Sequence, residues 1–248
     1  MLNQRLEAIL TLVNQQRKVS VTDLAQRLDV SLVTMRKDLT TLEEQGLLRR
    51  HHGYALANDP DNLNFRLAQN YEVKSRIAVA AADLVPDQAT IMIESGSTCA
   101  LLAARLGEQG KRVTLITNSY YIADYVAEYS NLTVFVLGGR YQANAQVTVG
   151  PLTQELLKQF HVTQLFAGTD GFDPQWGFSS RDIQRNDIVR AMATQAETVT
   201  LLTDSTKFAQ PSLVRQFAFD QVDRVITDRQ VNEPTAVLLK HRVTLDLV

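Results

Sequence analysis

The chain has 248 residues, 45% of them hydrophobic, enough to bury one large core or two modest ones. It holds no run of about 18 apolar residues, so no membrane-spanning helix is expected, and its start, MLNQRLEAILTLVNQQRK, lacks a signal-peptide pattern, which makes the cytoplasm the expected compartment. The single Cys99 rules out an internal disulfide, Cys99 and four scattered histidines make no zinc spacing, and a net charge of −2 gives no support to nucleic-acid binding.

Charge distribution matters more than the sum. Residues 1–58 carry eight Lys/Arg against six Asp/Glu, and the remainder 17 against 21. The N-terminal piece is only mildly basic, so any affinity for DNA must be read from pattern. Leu2, Leu6, Ile9, Leu10 and Val13 recur at helical spacing and predict a first amphipathic helix. Thr22 is placed to cap a short helix bearing Leu24, Ala25 and Leu28. Asp29-Val30 forms a tight turn, and Ser31 caps a longer helix with Leu32, Met35, Leu39 and Leu42 along one stripe. Val33, Thr34, Lys37 and Thr41 point the other way, with Arg36 on the flank. This is a helix-turn-helix pattern whose second helix presents polar and basic groups in its N-terminal half, the half that reaches base edges in the major groove. Gly46 ends that helix. LLRRHHGYAL (47–56) then reads as a hairpin with Gly53 near its tip: a wing whose Arg49, Arg50, His51 and His52 suit phosphates or a minor groove. A three-helix module binding another protein is the plainer alternative; the coincidence of spacing, outward basic face and basic wing favours DNA.

Residues 57–70 are polar, with Pro60 and four Asn, and read as a linker. A helix carrying Val73, Ile77 and Leu84 follows, ending before Pro86. Beyond it, six apolar β-rich runs are expected as strands: 90–93, 113–117, 133–137, 163–168, 198–202 and 224–227. Helical stretches lie near 98–106, 120–128, 151–159, 185–196 and 232–240. That alternation predicts a mostly parallel sheet covered on both faces.

Polar groups follow each strand: Glu94-Ser95-Gly96, Asn118-Ser119, Gly138-Gly139-Arg140, Thr169-Asp170-Gly171, Asp204 to Lys207, and Asp228. In a parallel sheet they share one rim, where open α/β sheets bind ligands. Some of these residues are helix caps, with Ser119 and Thr98 good candidates. Backbone N–H groups after Gly96, with a helix dipole, favour an anion. Ser95, Ser97 and Thr98 add hydroxyls and Lys207 a counter-charge. Alone, residues 95–98 fit an ordinary capped turn equally well. Glu94 repels phosphate but accepts from ligand hydroxyls, so anion plus polyol points to a sugar phosphate. Neither a G-x-G-x-x-G nor a P-loop is present, and no cofactor is expected. Cys99 reads as a core-facing small residue, with redox sensing a remote option. Trp176 and Phe178 form either a lid or packing.

In this order, VSLVTMRKDLTTLEEQGLLRRHHG, IESGST, LITNS, VLGGR, TVGP, FAGTDGFD and LTDSTKF resemble the DeoR family of bacterial sugar-operon regulators over essentially the whole chain. The resemblance implies a winged helix-turn-helix DNA-binding domain (1–57), a linker (58–72) and an effector-binding α/β sensor domain (73–248) akin to ribose-5-phosphate isomerases. It implies a double-stranded operator, homo-oligomers (dimer or tetramer), and effectors that are phosphorylated sugars or related metabolites. By matching position, Arg36 and Lys37 fall in the reading helix, and Ser95, Gly96, Ser97, Thr98, Asn118, Gly139, Asp170 and Lys207 line the effector pocket. With the residue reading, Ser31, Val33, Thr34, Arg49, Arg50 and His52 complete the DNA-binding set and Glu94 the effector set. Departures are Glu94 where Asp is commoner, Cys99 for Thr, Tyr54 for the wing's second Gly, and Tyr120-Tyr121 after TNS. The alternative is an enzyme, a sugar-phosphate isomerase or a CoA transferase, with Asp170, Asp173 or Glu94 as base. The related isomerases carry a Lys-Gly-Gly-Gly segment; the corresponding GFSSRDIQRND (177–187) lacks that Lys, so no catalytic residue is expected.

Overall fold

The computed structural model describes residues 4–58 and 61–248; Leu2 of the first stripe and Pro60 of the expected linker lie outside them. The chain divides into two compact units, 1–69 and 70–248.

The first unit runs α1 (Gln4–Gln16), β1 (Lys18–Ser20), α2 (Val21–Arg27), α3 (Leu32–Glu44), β2 (Leu48–His51), β3 (Tyr54–Ala57) and α4 (Leu63–Ala68). Leu6, Ile9 and Val13 of α1 meet Leu24, Met35, Leu39, Leu42, Leu48 and Ala55 in one core. Fully burying a side chain of this size contributes about 1.5–3 kcal/mol. Turn chemistry sets the angles between elements. Ser20, not Thr22, caps α2: its backbone is extended and its side chain accepts from the Asp23 N–H at 3.0 Å. The reason is β1, which carries the chain straight into the helix, leaving Thr22 inside the first turn. Asp29 adopts the left-handed conformation (φ 50°), as a short Asx side chain tolerates. Ser31 caps α3, accepting from the Thr34 N–H. Gly46 (φ +67°) ends α3 in a Schellman motif: the Leu47 N–H donates to Leu42 O and the Gly46 N–H to Glu43 O. Leu32 departs from the expected stripe. It is 42% exposed at the first helical position, ahead of the turn where Met35, Leu39 and Leu42 bury.

β2 and β3 pair antiparallel, with His51 opposite Tyr54. His52 (φ 44°) and Gly53 (φ 81°) form the two-residue turn; two positive φ values define type I′, whose twist matches the strands. β1 adds to β3, giving the order β1-β3-β2. The expected linker segment contains α4, capped by Asn62 accepting from the Phe65 N–H.

The second unit begins with α5 (Tyr71–Asp83), β4 (Thr90–Ile93), α6 (Ser97–Glu108), β5 (Val113–Thr117), α7 (Tyr120–Tyr125) and β6 (Leu132–Val136). A hairpin of β7 (Arg140–Gln142) and β8 (Val147–Val149) follows, then α8 (Pro151–Leu157) and β9 (Val162–Ala167). β10 (Gly171–Asp173), β11 (Gly177–Ser180), α9 (Ile183–Ala193), β12 (Ala196–Leu202), β13 (Val214–Phe217), β14 (Arg224–Thr227), α10 (Glu233–Arg242) and β15 (Thr244–Leu247) complete it. Seven strands form one sheet in the order β15-β14-β12-β9-β4-β5-β6, and every pair is parallel. All six expected strands are in it. β10, β11 and β13 make a separate antiparallel sheet. Its Phe172 and Phe178 pack with Phe208 and Phe219 at ring separations of 5.2–6.0 Å. Phe178 is therefore core, while Trp176 stands half-exposed in the β10–β11 turn. Cys99 is fully buried on α6 and its thiol faces Phe166 O, a packing position.

Candidate nucleic-acid interface and strand-rim site

In the first unit, the N-terminal half of α3 is an exposed surface. Val33 is 76% exposed, and Arg36 and Lys37 project outward with no side-chain partner among the described residues. An apolar Val beside two long cations suits a thymine methyl flanked by acceptor edges or phosphates. Ser31 is spent on structure: its oxygen accepts from the Thr34 N–H and shares a 2.9 Å hydrogen bond with the Thr34 hydroxyl. Asp38, 8% exposed, accepts two hydrogen bonds from Arg5 of α1, at 2.6 and 3.1 Å. That clamp fixes the roll of α3 and was not legible in the sequence, because the partners are 33 residues apart. On the wing, Arg49, His51 and His52 are exposed. Arg50 is turned inward, toward Thr40 and Glu43.

In the second unit, the polar residues expected at the rim do follow the carboxyl ends of parallel strands. Lys207, Asp170, the 94–98 segment and Asn118 come after β12, β9, β4 and β5, four neighbours in the sheet. At roughly 4.8 Å per strand they spread over about 14 Å. Glu94 and Gly168 meet: the Gly168 N–H donates to Glu94 Oε2 at 3.2 Å, and the Ser95 hydroxyl donates to Oε1 at 2.8 Å. A Cβ on Gly96 would lie 3.1 Å from Glu94 Oε2 and 3.7 Å from Gly168 Cα, so glycine lets the two loops close. Gly96, not Thr98, is the N-cap of α6, and no side chain caps that end. Ser95, Ser97 and Thr98 are all buried beside it. Ser119 does cap α7, accepting from the Ile122 N–H.

Asn118 is 2% exposed. Its Nδ2 donates to Thr148 O at 2.9 Å, while its Oδ1 has no hydrogen-bond partner among the described residues. Leaving such an oxygen dry and unpaired costs on the order of 1–3 kcal/mol, so it is open to a partner from solvent or a ligand. Asp170 is engaged: it accepts from the Arg181 N–H at 3.1 Å and pairs with the Arg181 guanidinium at 3.2 Å. Gly139 has a structural reason, since a Cβ there would fall 2.0 Å from Thr153 Oγ1. It belongs to the loop after the edge strand β6, one strand beyond Asn118. Lys207 sits half-buried in a 3₁₀ turn, Ser205–Ala209. Two neighbours of the site had no sequence signal. Arg181 reaches Asp170 through the β10–β11 hairpin, and Gln216 of β13 donates from Nε2 to Gly168 O at 2.9 Å. A cavity of about 660 Å³ lies at the opposite rim, lined by Arg190, Glu197 and Asp223, near the amino ends of β12 and β14.

The DeoR-like helix-turn-helix domain model matches residues 5–61, and the DeoR C-terminal sensor domain model matches residues 69–229. The chain belongs to the DeoR family. It is a DNA-binding transcriptional regulator. The HTH-type transcriptional regulator GolR of Listeria innocua is 31% identical over 93% of this chain and 92% of its own length. The L-fucose operon activator of Haemophilus influenzae is 32% identical over 93% of each. The HTH-type transcriptional repressor CsqR of Escherichia coli is 30% identical over 91% of this chain and 87% of its own. Among solved structures, ribose 5-phosphate isomerase A from Neisseria gonorrhoeae aligns with 56% of this chain and 54% of its own, at 18% identity and a TM-score of 0.43; at that distance the match carries no argument about chemistry. Among the described residues, no helix is long and apolar enough to cross a membrane.

Proposed function

We propose that this DeoR-family regulator represses a carbohydrate-metabolism operon and that a phosphorylated sugar or related metabolite, bound at the strand rim, controls its grip on double-stranded operator DNA. Residues 1–57 are the reading domain, 58–72 the connection that holds α4, and 73–248 the sensor. Val33, Thr34, Arg36 and Lys37 face base edges, and Arg49 and His52 face backbone phosphate. The observation that carries the effector reading is the end of α6. A twelve-residue helix presents an N-terminus without a side-chain cap, with three buried hydroxyls around it. Uncapped N–H groups and the helix dipole suit a phosphate. Lys207 supplies counter-charge; Glu94 and the unpaired Asn118 oxygen accept from sugar hydroxyls. Gly139 and Asp170 border the site, Asp170 held in place by Arg181.

The protein acts in the cytoplasm as a homo-oligomer, because paired winged helices address half-sites about 10 base pairs apart or a multiple of that. The effector works by binding two quaternary arrangements with different affinity; equal affinity would shift nothing. Asp170 is engaged by Arg181, which supports sensing over turnover.

Capture of sheared genomic DNA on the purified protein, at a stated salt concentration, tests this. Recovery of a few sites sharing a repeated motif, released by sugar phosphates of the adjoining pathway, is the expected result. Uniform recovery with and without a sugar-phosphate mixture, or ribose 5-phosphate turnover that vanishes in Asp170→Asn, would overturn it.

A further inference from the structure

The wing presents two adjacent arginines that sequence alone treats as equals. Strand alternation separates them: along β2, Leu48 is buried, Arg49 exposed, Arg50 intermediate and His51 exposed. Arg50 shares the inward face with Leu48; Arg49 shares the outward face with His51. The Arg50 Nη1 donates to Thr40 Oγ1 at 2.6 Å and lies 3.8 Å from Glu43 Oε2. Its backbone N–H donates to Glu43 Oε1 at 2.8 Å. Thr40 in turn donates from its hydroxyl to Arg36 O at 2.9 Å. Arg36, Thr40 and Glu43 recur on one face of α3 at i, i+4 and i+7. A chain of hydrogen bonds thus runs from the wing into the middle of the reading helix.

We propose that Arg50 is a positioning residue for DNA recognition: it locks the wing against α3 through Thr40 and Glu43, while Arg49 alone of the pair contributes charge to the phosphate backbone. Glu43 offsets the Arg50 charge locally and would repel a phosphate brought to it. Arg49 has no side-chain partner among the described residues and nothing to offset it. The lock holds wing and helix at one angle, so both engage a duplex together.

Salt dependence separates the two roles. Each phosphate contact contributes about 0.9 to the slope of log affinity against log salt on B-DNA. The full-length protein is titrated into a fluorescein-labelled mixed-sequence duplex of about three helical turns over a salt series. Arg49→Gln is expected to lower the slope by about 0.9 for each wing engaged. Arg50→Gln is expected to weaken binding several-fold at every salt concentration while leaving the slope at the wild-type value. Thr40→Val removes the acceptor without touching charge, and is expected to reproduce the Arg50→Gln loss. The double variant should lose no more than either single, as for two ends of one interaction. Thr40→Val also supplies the measurement if Arg50→Gln does not fold. A lowered slope in Arg50→Gln, full affinity in Thr40→Val, or additive losses in the double variant would each overturn the assignment.

Discussion

Individual side chains divide here into those that are spent and those that are available. Ser31, Asp38 and Arg50 lie in or beside the reading helix, yet each is hydrogen-bonded within its own unit. Val33, Arg36 and Lys37 are exposed, and the two cations have no side-chain partner among the described residues. Breaking a bidentate base contact costs about 1–3 kcal/mol of discrimination. Arg36→Ala and Lys37→Ala should therefore each lose on the order of tenfold or more in preference for the captured operator over random duplex, and Thr34→Ala, whose single hydroxyl is shared with Ser31, should lose less. Ser31→Ala should act on helix stability, at about 1 kcal/mol for a lost cap. Competition binding together with thermal melts checks both. Full operator preference in all three alanine variants would sink the assignment of α3 as the reading helix.

Elements show how local chemistry and packing share the work. α3 begins and ends where its own residues dictate, at the Ser31 cap and the Gly46 Schellman turn, because both act over a few residues. α7 depends more on its surroundings. The rings of Tyr121 and Tyr125 stack at 5.6 Å along it. Burial, with the nearby Tyr125 and Asp124, pushes the Tyr121 phenol up to about 12. An unfolded tyrosine ionises near 10. Between those values the unfolded chain has released a proton that the native one keeps. Stability is therefore unaffected by this group below about pH 10 and falls as pH rises from 10 to 12. Tyr121→Phe should flatten that fall, read from denaturation midpoints over a pH series, and should remove the latest step from the tyrosinate absorbance titration. An unchanged late step in the variant would assign the shift to another tyrosine.

Across the whole molecule, regulation requires that two sites be coupled, and such coupling is reciprocal in binding free energy. If a sugar phosphate weakens operator binding by some factor, operator DNA must weaken sugar-phosphate binding by the same factor. Calorimetric titration of the effector with and without operator duplex checks this. Unequal factors would mean that the sugar phosphate acts on a different assembly state in each experiment. The relatives include both an activator and a repressor of transcription.

The helix-turn-helix, the wing turn and all six strands of the expected parallel sheet were legible along the chain. Helical period, caps and apolar β-rich runs are properties of neighbours in sequence. The strand rim was legible too, since parallel order places every β-to-α turn on one side. What stayed hidden depends on partners far apart in the chain. β1 and β10 have three residues each, too few for a period to register, and exist as strands because β3 and β11 pair with them. Thr22 reads as well as Ser20 for a cap until β1 is known. Gln216 reaches Gly168 across 48 residues, and Arg5 reaches Asp38 across 33. Arg49 and Arg50 are alike as letters; the pleat of one strand and the position of one helix leave the first exposed without a side-chain partner among the described residues and turn the second toward Thr40 and Glu43.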